Sequence, residues 1–193
     1  MSLNVWRDFR VVGVEDGGFS RGPQGYGTQK ALFICVLLRG TWIDGFQADK
    51  IKVDGLDATE KLISMLRRWS FDAVMLAGVS FAGFNLVDPT VVFEEFNKSV
   101  IVISRTKPSN IAVKNALRQH FEDWRVRWGV FERLGPVWEV VSMPNEPPVY
   151  VEVIGAELEW ASKLIRTAST CCRIPEPIRV ARLVARGLTL RVL

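Results

Sequence analysis

The first clear structural signal in the sequence is Phe9-Arg10-Val11-Val12-Gly13-Val14-Glu15-Asp16-Gly17-Gly18, an apolar run that ends in two acids and two glycines. A short apolar run that stops at turn-forming residues is typical of a buried β-strand. Side chains alternate between the two faces of a strand, so only one of Glu15 and Asp16 can face a given side of the sheet. The run therefore predicts a strand with a carboxylate at its carboxyl end, where Gly17 and Gly18 let a ligand approach the backbone.

The pattern outside this strand predicts a sheet with helices on both faces. Further strands are predicted at residues 31–38, 42–53 (bent or bulged near Gly45), 73–77, 100–104, 138–141 and 149–154. Helices are predicted from Asp57 or Thr59 to 69, from Asp88-Pro89 to 97, over 109–134 with a break near Gly129, over 157–170 and over 177–186. Three initial strands, mainly antiparallel, followed by alternating helices and strands predict an α/β fold with a mixed central sheet, as one domain over residues 1–193.

The composition excludes several classes of protein. Apolar residues make up 48% and charged residues 24% of the chain, a balance that excludes disorder and coiled coil. The longest clean apolar run has eight residues, whereas a membrane-spanning helix needs about 20, so no membrane association is expected. We see no secretory signal after Met1, and three cysteines indicate reduced thiols. Together these features predict a cytoplasmic protein.

The basic residues concentrate at the end of the chain. Residues 163–193 carry seven basic side chains against one acid, within a total net charge of +4. Such a segment indicates either a phosphate-binding face, with Arg179 and Arg182 as its central residues, or a solvated helix surface. Composition does not choose between these two alternatives.

Four polar residues are candidates for chemistry. Asp16, at a strand end, suits a divalent metal ion, although the residues alone favour a cap for the turn that follows. Asp57 opens a predicted helix and Asp88 precedes Pro89, and helix capping accounts for both. Asn85 is an amide within an apolar stretch, so it needs hydrogen-bond partners. The glycine-rich segment 17–27 has neither the phosphate-loop nor the dinucleotide-binding spacing.

Three segments carry a resemblance to a known family: Gly13-Val14-Glu15-Asp16-Gly17-Gly18-Phe19, Val53-Asp54-Gly55-Leu56-Asp57-Ala58-Thr59-Glu60-Lys61 and Phe81-Ala82-Gly83-Phe84-Asn85. They resemble the mostly archaeal family known as domain of unknown function ninety-nine, which is similar to endonuclease V. The Ile174-Pro175-Glu176-Pro177 segment looks like the proline-glutamate-proline signature of endonuclease V. The resemblance implies a ribonuclease H-like fold, Mg²⁺ or Mn²⁺ as cofactor, and cleavage of nucleic acid beside a deaminated adenine.

The resemblance also implies roles for particular residues. Asp16 and Asp57 match the first two acids of endonuclease V, so they are the expected catalytic and metal-binding residues, with Asp88 as a further metal candidate. The third acid and a histidine are missing, because the matching stretch is Ala77-Gly78-Val79. The expected nucleic-acid-binding residues are Arg105, Lys107, Arg179 and Arg182, and the expected ligand loop contains Gly17, Gly18, Gly83 and Asn85.

Three functions are compatible with these features. The first is a metal-dependent nuclease or phosphodiesterase with an incomplete set of acids. The second is a nucleic-acid-binding protein that keeps the fold without catalysis. The third is a protein that binds a small phosphorylated ligand or a protein partner over the glycine loop. The sequence leaves open the oligomeric state and whether Asp16 and Asp57 converge.

Overall fold

The computed structural model describes residues 8–19 and 30–189 of the 193-residue chain. Most of the predicted glycine loop therefore lies outside the described residues. The strands are β1 Arg10–Asp16, β2 Lys30–Arg39, β3 Trp42–Lys52, β4 Ala73–Leu76, β5 Ser80–Phe81, β6 Asn85–Leu86, β7 Ser99–Ser104, β8 Trp138–Val140 and β9 Val149–Ile154. The helices are α1 Ala58–Leu66, α2 Pro89–Phe96, α3 Asn110–His120, α4 Trp124–Arg133, α5 Leu158–Ala168 and α6 Glu176–Thr189.

Seven strands form one mixed sheet in the order β3-β2-β1-β4-β7-β9-β8. The inner strands β1, β4 and β7 are parallel, and the flanking pairs are antiparallel. The predicted mixed sheet with three antiparallel strands first is confirmed. The register of β2 and β3 shifts between Leu37 and Leu38, which places the distortion of β3 beside Gly45, as predicted.

Helices cover both faces of the sheet, and each face has its own apolar core. On the first face, α1 and α2 pack on a cluster that includes Val14, Phe33 and Leu76. On the second face, α5 and α6 pack against residues such as Met75 and Ile103. The α6 helix crosses β1 so closely that a Cβ atom at Gly13 would lie 2.0 Å from the Pro177 carbonyl oxygen. Glycine at this position therefore sets how near α6 comes to the sheet.

Two local predictions were wrong. The helical stretch after residue 109 breaks at residues 121–123, where Phe121 is extended, whereas Gly129 lies inside α4. The hydrogen bonds of Arg127 and the packing of Phe131 on the first apolar core hold α4 in place, and they outweigh the modest helix penalty of one glycine. The segment predicted as a loop around Gly83 contains a short hairpin, β5 paired with β6. None of the helices in the described ranges is long and apolar enough to span a bilayer.

Candidate active site

Asp16 lies at the carboxyl end of β1, on the sheet face that packs against α1. Its Oδ2 accepts a hydrogen bond of 2.5 Å from the backbone N–H of Ala82, in the turn of the β5–β6 hairpin. The strand register places Gly78 beside Asp16, because Val14 pairs with Leu76. Gly78 has a φ of +86°, and a Cβ there would meet no atom within 4 Å. The Asp16 side chain is half-buried, so part of it is open to solvent at this end of the sheet.

Ala77, next to Gly78, is the position that matches the third acid of endonuclease V. Ala77 continues the alternation of Ala73 and Met75, so its methyl group faces α6 rather than the Asp16 side. Neither Ala77 nor Gly78 supplies a carboxylate. Within residues 8–19 and 30–189, no group of three or more His, Cys, Asp or Glu side chains is placed to hold a metal ion. The described carboxylates therefore do not fit a preformed three-acid metal site.

Glu15 and Arg182 form a shielded ion pair on the opposite face from Asp16. The Arg182 Nε and Nη2 atoms lie 2.8 and 2.6 Å from Oε2 of Glu15. Burial raises the pKa of Glu15 to about 7, even though the guanidinium opposes this shift. Burial also raises the pKa of Asp16, against the opposing effects of the Ala82 N–H, the Glu15 carboxyl and the Arg182 charge. The pKa values of Glu15 and Asp16 therefore depend on each other and on the charge of Arg182.

Asp57 has a structural role that its position in the sequence does not suggest. Its side chain makes no capping hydrogen bond to α1. Instead its Oδ1 accepts from the Lys52 N–H at 3.2 Å and from Asn85 Nδ2 at 2.6 Å. The fully buried Asn85 also donates to the Lys52 carbonyl at 2.8 Å and accepts from the Ala58 N–H at 2.9 Å. Asn85 thus joins β3, α1 and the hairpin, and both of its amide hydrogens are used within the protein.

Asp16 and Asp57 lie at the same end of the sheet, and different parts of the β5–β6 hairpin hold them. Ala82 contacts Asp16 through its N–H and accepts from the Asp54 N–H at 2.8 Å through its carbonyl. Asn85, three residues later, holds Asp57. The hairpin therefore links the two carboxylates through a chain of hydrogen bonds.

Arg127 is a buried residue of this site that sequence reasoning missed. Its guanidinium donates to the carbonyl oxygens of Asp54, Gly55 and Phe84, at 3.0, 2.9 and 2.6 Å. It also forms an ion pair with Asp123 at 2.8 Å. Arg127 therefore fixes the turn before α1 against the hairpin. An arginine at helical spacing resembles a surface residue, so the sequence carries no signal for this role.

The other predicted ligands occupy varied positions. Asp88 caps α2 through a 3.0 Å bond from the Thr90 N–H, as predicted, and pairs with Arg133, so the protein already uses its carboxylate. Gly17 is buried and donates to the Leu32 carbonyl at 2.9 Å, whereas Gly18 is exposed. Gly83 has a φ of +87° and makes the turn of the hairpin.

A cavity of about 250 Å³ lies beside the Glu15–Arg182 pair. Its apolar walls are Ala77, Ile103, Ile174 and Ile178. Its polar lining consists of Ser104, Arg105, Thr106 and Arg182. We call this space the Arg182 cavity. Because its walls come from β4, β7 and the segment that leads into α6, no local sequence pattern reveals it.

The structure separates the four predicted nucleic-acid-binding residues. Arg105 and Arg182 both line the Arg182 cavity. Arg179 forms a two-point ion pair with Glu176, at 2.7 and 2.8 Å, so an internal partner offsets its charge. Lys107 is exposed on the segment that follows β7. Their role in binding nucleic acid stays a prediction.

Comparison with known proteins places the chain in a family. A family model described as endonuclease dU matches residues 7–189. A UPF0215 protein of Pyrococcus furiosus is 36% identical over 193 residues, covering 97% of this chain and 96% of the relative. A UPF0215 protein of Methanothermobacter thermautotrophicus is 34% identical over 188 residues, covering 95% of this chain and 89% of the relative.

Solved structures share the fold of this chain. The crystal structure of a protein of unknown function from Archaeoglobus fulgidus has a TM-score of 0.79 at 29% identity, covering 93% of this chain and 98% of that one. Endonuclease V of Ciona intestinalis, in complex with a 24mer DNA containing an inosine followed by a ribo-adenosine, has a TM-score of 0.64 at 16% identity. That match covers 96% of this chain and 87% of the other, and it confirms the predicted ribonuclease H-like fold. The chain belongs to the endonuclease dU family.

Proposed function

We propose that this protein is an endonuclease that cuts nucleic acid beside a deaminated base, with deoxyuridine in DNA as its first candidate substrate. The observation that carries the proposal is the position of the half-buried Asp16, at the carboxyl end of an inner parallel strand. Ligand sites of open α/β sheets lie outside the carboxyl ends of their strands. The family description and the endonuclease V fold support this choice of reaction and substrate.

A divalent ion, Mg²⁺ or Mn²⁺, belongs to the proposal as a cofactor that the protein alone would bind weakly. Mg²⁺ often keeps several waters and binds through one or two carboxylates together with substrate phosphates. Asp16 is the first candidate ligand and Asp57 the second. Hydrogen bonds from the protein engage Oδ2 of Asp16 and Oδ1 of Asp57, so the other carboxylate oxygen of each is the candidate to bind the ion. Such an ion would supply a polarised water for phosphodiester cleavage. The protein's own part is to hold Asp16 rigidly through the Ala82 N–H.

The test is cleavage of matched oligonucleotides. Duplex and single-stranded DNA with one deoxyuridine, deoxyinosine or thymidine at the same position would be incubated with Mg²⁺, Mn²⁺ or EDTA. We expect metal-dependent cutting near deoxyuridine and little at thymidine. If no substrate is cut with either Mg²⁺ or Mn²⁺, the nuclease proposal is refuted.

The missing third acid favours one alternative, a protein that binds nucleic acid without cutting it. Counterion release would then make the binding constant fall steeply with salt. The exposed residues Arg105 and Lys107 are better targets than Arg179, because Glu176 already pairs with Arg179. In this alternative, the double substitution Arg105→Glu and Lys107→Glu weakens binding and reduces its salt dependence. Salt-independent binding would exclude it.

A further inference from the structure

The helices α3 and α4 pack together through cations that lie over aromatic rings. Lys114 Nζ is 4.6 Å from the centre of the Trp128 ring. The guanidinium carbons of Arg118 and Arg125 are 5.4 and 4.7 Å from the centre of the Trp124 ring. Each distance is within the roughly 6 Å over which the face of an indole attracts a cation. Two indole rings therefore hold three cations in place on this helix pair.

The charges of these three cations are not offset by acids. Arg127, on the same helix as Arg125, pairs with Asp123. Lys114, Arg118 and Arg125 form no such ion pair with any carboxylate of residues 8–19 and 30–189. Arg118 and Arg125 are exposed, and their charges repel each other beside one ring. An anion that contacts both guanidiniums would remove this repulsion.

The apolar core does not account for the tryptophans of α4. The α3 helix buries Leu117 alone, so little of the helix pair is part of the core. Trp124 and Trp128 are half-buried and lie outside the three apolar cores that the described residues form. Trp128 stacks on Phe131, with ring centres 5.7 Å apart, whereas Trp124 has no aromatic partner in the described ranges. Trp124 thus offers ring surface that packing within the protein does not use.

The helix pair lies beside the candidate active site. Phe121, at the end of α3, packs edge-on against Phe84 of the β5–β6 hairpin, with ring centres 5.5 Å apart. Arg127 of α4 donates to carbonyl oxygens of the same hairpin and of the turn before α1. The hairpin in turn holds Asp16 through the Ala82 N–H. The α3 helix also follows β7, whose carboxyl end lies at the same end of the sheet as Asp16, because β1, β4 and β7 are parallel.

We infer that the surface formed by Lys114, Arg118, Trp124 and Arg125, which we call the Trp124 platform, binds a single-stranded segment of nucleic acid. This inference rests on the proposed function, because it names the form of the substrate that reaches Asp16. Guanidinium groups bind phosphates through paired hydrogen bonds, and they also stack on aromatic rings.

The indole ring gives the platform its preference for unpaired bases. Proteins that bind single strands combine a basic surface with aromatic rings on which bases stack. A base can take the place of one guanidinium over the Trp124 ring, and the displaced guanidinium then binds the adjacent phosphate. The bases of a duplex are stacked on each other, so they offer no free face to Trp124 except at the ends. An acidic peptide would offset the cations but has no flat ring to place on Trp124.

The test is a binding measurement without catalysis. Fluorescence anisotropy of the full chain in EDTA would compare a labelled single strand of about 16 nucleotides with the duplex made from it. We expect the wild type to bind the single strand on the order of 10-fold more tightly than the duplex. Trp124→Leu should weaken binding of the single strand about 5- to 100-fold and leave its salt dependence unchanged.

Removing the two arginines should have a different signature. In the double variant Arg118→Gln and Arg125→Gln, the slope of the logarithm of the binding constant against the logarithm of salt concentration should fall in magnitude by about 1.4. Each phosphate contact to a single strand contributes about 0.7 to this slope. Both arginines are exposed, so the double variant keeps the fold, which circular dichroism would verify.

Matched controls lie at the other end of the sheet. Trp42 is exposed at the start of β3, which runs in the same direction as β1, and Arg67 and Arg68 precede β4. Trp42→Leu should bind like the wild type, and so should the double variant Arg67→Gln and Arg68→Gln. Weakening of the same size in these controls would overturn the inference.

The outcomes separate the platform from the nuclease proposal. Equal binding of single strand and duplex by the wild type overturns the inference, as does unchanged binding in Trp124→Leu. Equally tight binding of polyglutamate also overturns it, because the surface then fits an acidic partner. Cleavage at deoxyuridine with unchanged binding in Trp124→Leu refutes the platform and leaves the nuclease proposal standing. Weakened binding in Trp124→Leu, without cleavage by the wild type, supports the platform and refutes the nuclease proposal.

Discussion

Glu152 is an acid inside the sheet, and replacing it should stabilise the protein. It is 7% exposed and lies on β9 opposite Val102 of β7. The same row continues through Leu76 to Val14, so Glu152 extends a line of apolar side chains across the sheet. Burial raises the pKa of Glu152 from 4.5 to about 7. The folded protein therefore holds a proton on Glu152 at pH values where the unfolded chain has released it.

The sign and size of the effect follow from linkage. Between pH 4.5 and about 7 the folded state binds more protons than the unfolded state, so the free energy of unfolding falls as pH rises. The rise of the Glu152 pKa from 4.5 to about 7 corresponds to roughly 3 kcal/mol of lost stability at pH 8. Glu152→Gln removes the ionisation and keeps the shape. We expect it to raise the free energy of unfolding by up to about 3 kcal/mol at pH 8 and to leave it nearly unchanged at pH 4.5.

Urea denaturation at pH 4.5 and pH 8 measures this difference, with the slope against urea checked for equality between variants. For a domain of this size the gain corresponds to an increase in melting temperature of about 6–12 °C at pH 8. Glu139→Gln is the control, because Glu139 is exposed on the neighbouring strand β8 and should show no pH-dependent change. An equal effect of Glu152→Gln at both pH values, or a loss of stability at pH 8, would show that ionisation of Glu152 does not destabilise the fold.

Four further substitutions test the contact between β1 and α6 and the stability of α6. Arg182→Met leaves Glu15 buried without its cation, so it should cost about 3 kcal/mol at pH 8, and Glu15→Gln in the same chain should restore most of this. Equal losses with and without Glu15→Gln would disprove the coupling. Gly13→Ala places a methyl group 2.0 Å from the Pro177 carbonyl oxygen and should cost about 3 kcal/mol or prevent folding. Gly187 lies on α6 with open space around it, so Gly187→Ala should raise the free energy of unfolding by about 0.5–1 kcal/mol. Urea denaturation measures each, and a neutral Gly13→Ala would contradict the close approach of α6.

Sequence patterns over a few residues predicted those parts of the fold that depend only on neighbours in the chain. The apolar run that ends at Asp16 became β1, because strand burial and the stop at two glycines are encoded side by side. The Asp88-Pro89 pair became the start of α2, with the capping bond that its chemistry predicts. Elements whose signals lie within a few residues were therefore predicted to within a few positions of their ends.

Contacts between distant segments explain what the sequence did not predict. Glu15 and Arg182 are 167 positions apart, so no spacing rule indicates that they pair. Asp57 has the position of a helix cap, but Asn85, which is 28 positions away, binds its carboxylate instead. The Arg182 cavity likewise exists only after β4, β7 and α6 have packed. The candidate site is thus made of a locally encoded acid, Asp16, and of partners that only the assembled fold brings to it.

In the proposed function, Asp16 at the carboxyl end of β1 belongs to a site that cuts nucleic acid. The most direct measurement is the single-turnover cleavage rate of a deoxyuridine-containing duplex by the wild type, Asp16→Asn and Asp49→Asn, with Mn²⁺. Asp49 lies on the strand β3 and pairs with Lys61 of α1, and it is the matched control. We expect Asp16→Asn to cut on the order of 10²-fold more slowly, or not at all, and Asp49→Asn to cut at the wild-type rate. Equal rates for the wild type and Asp16→Asn would contradict the claim.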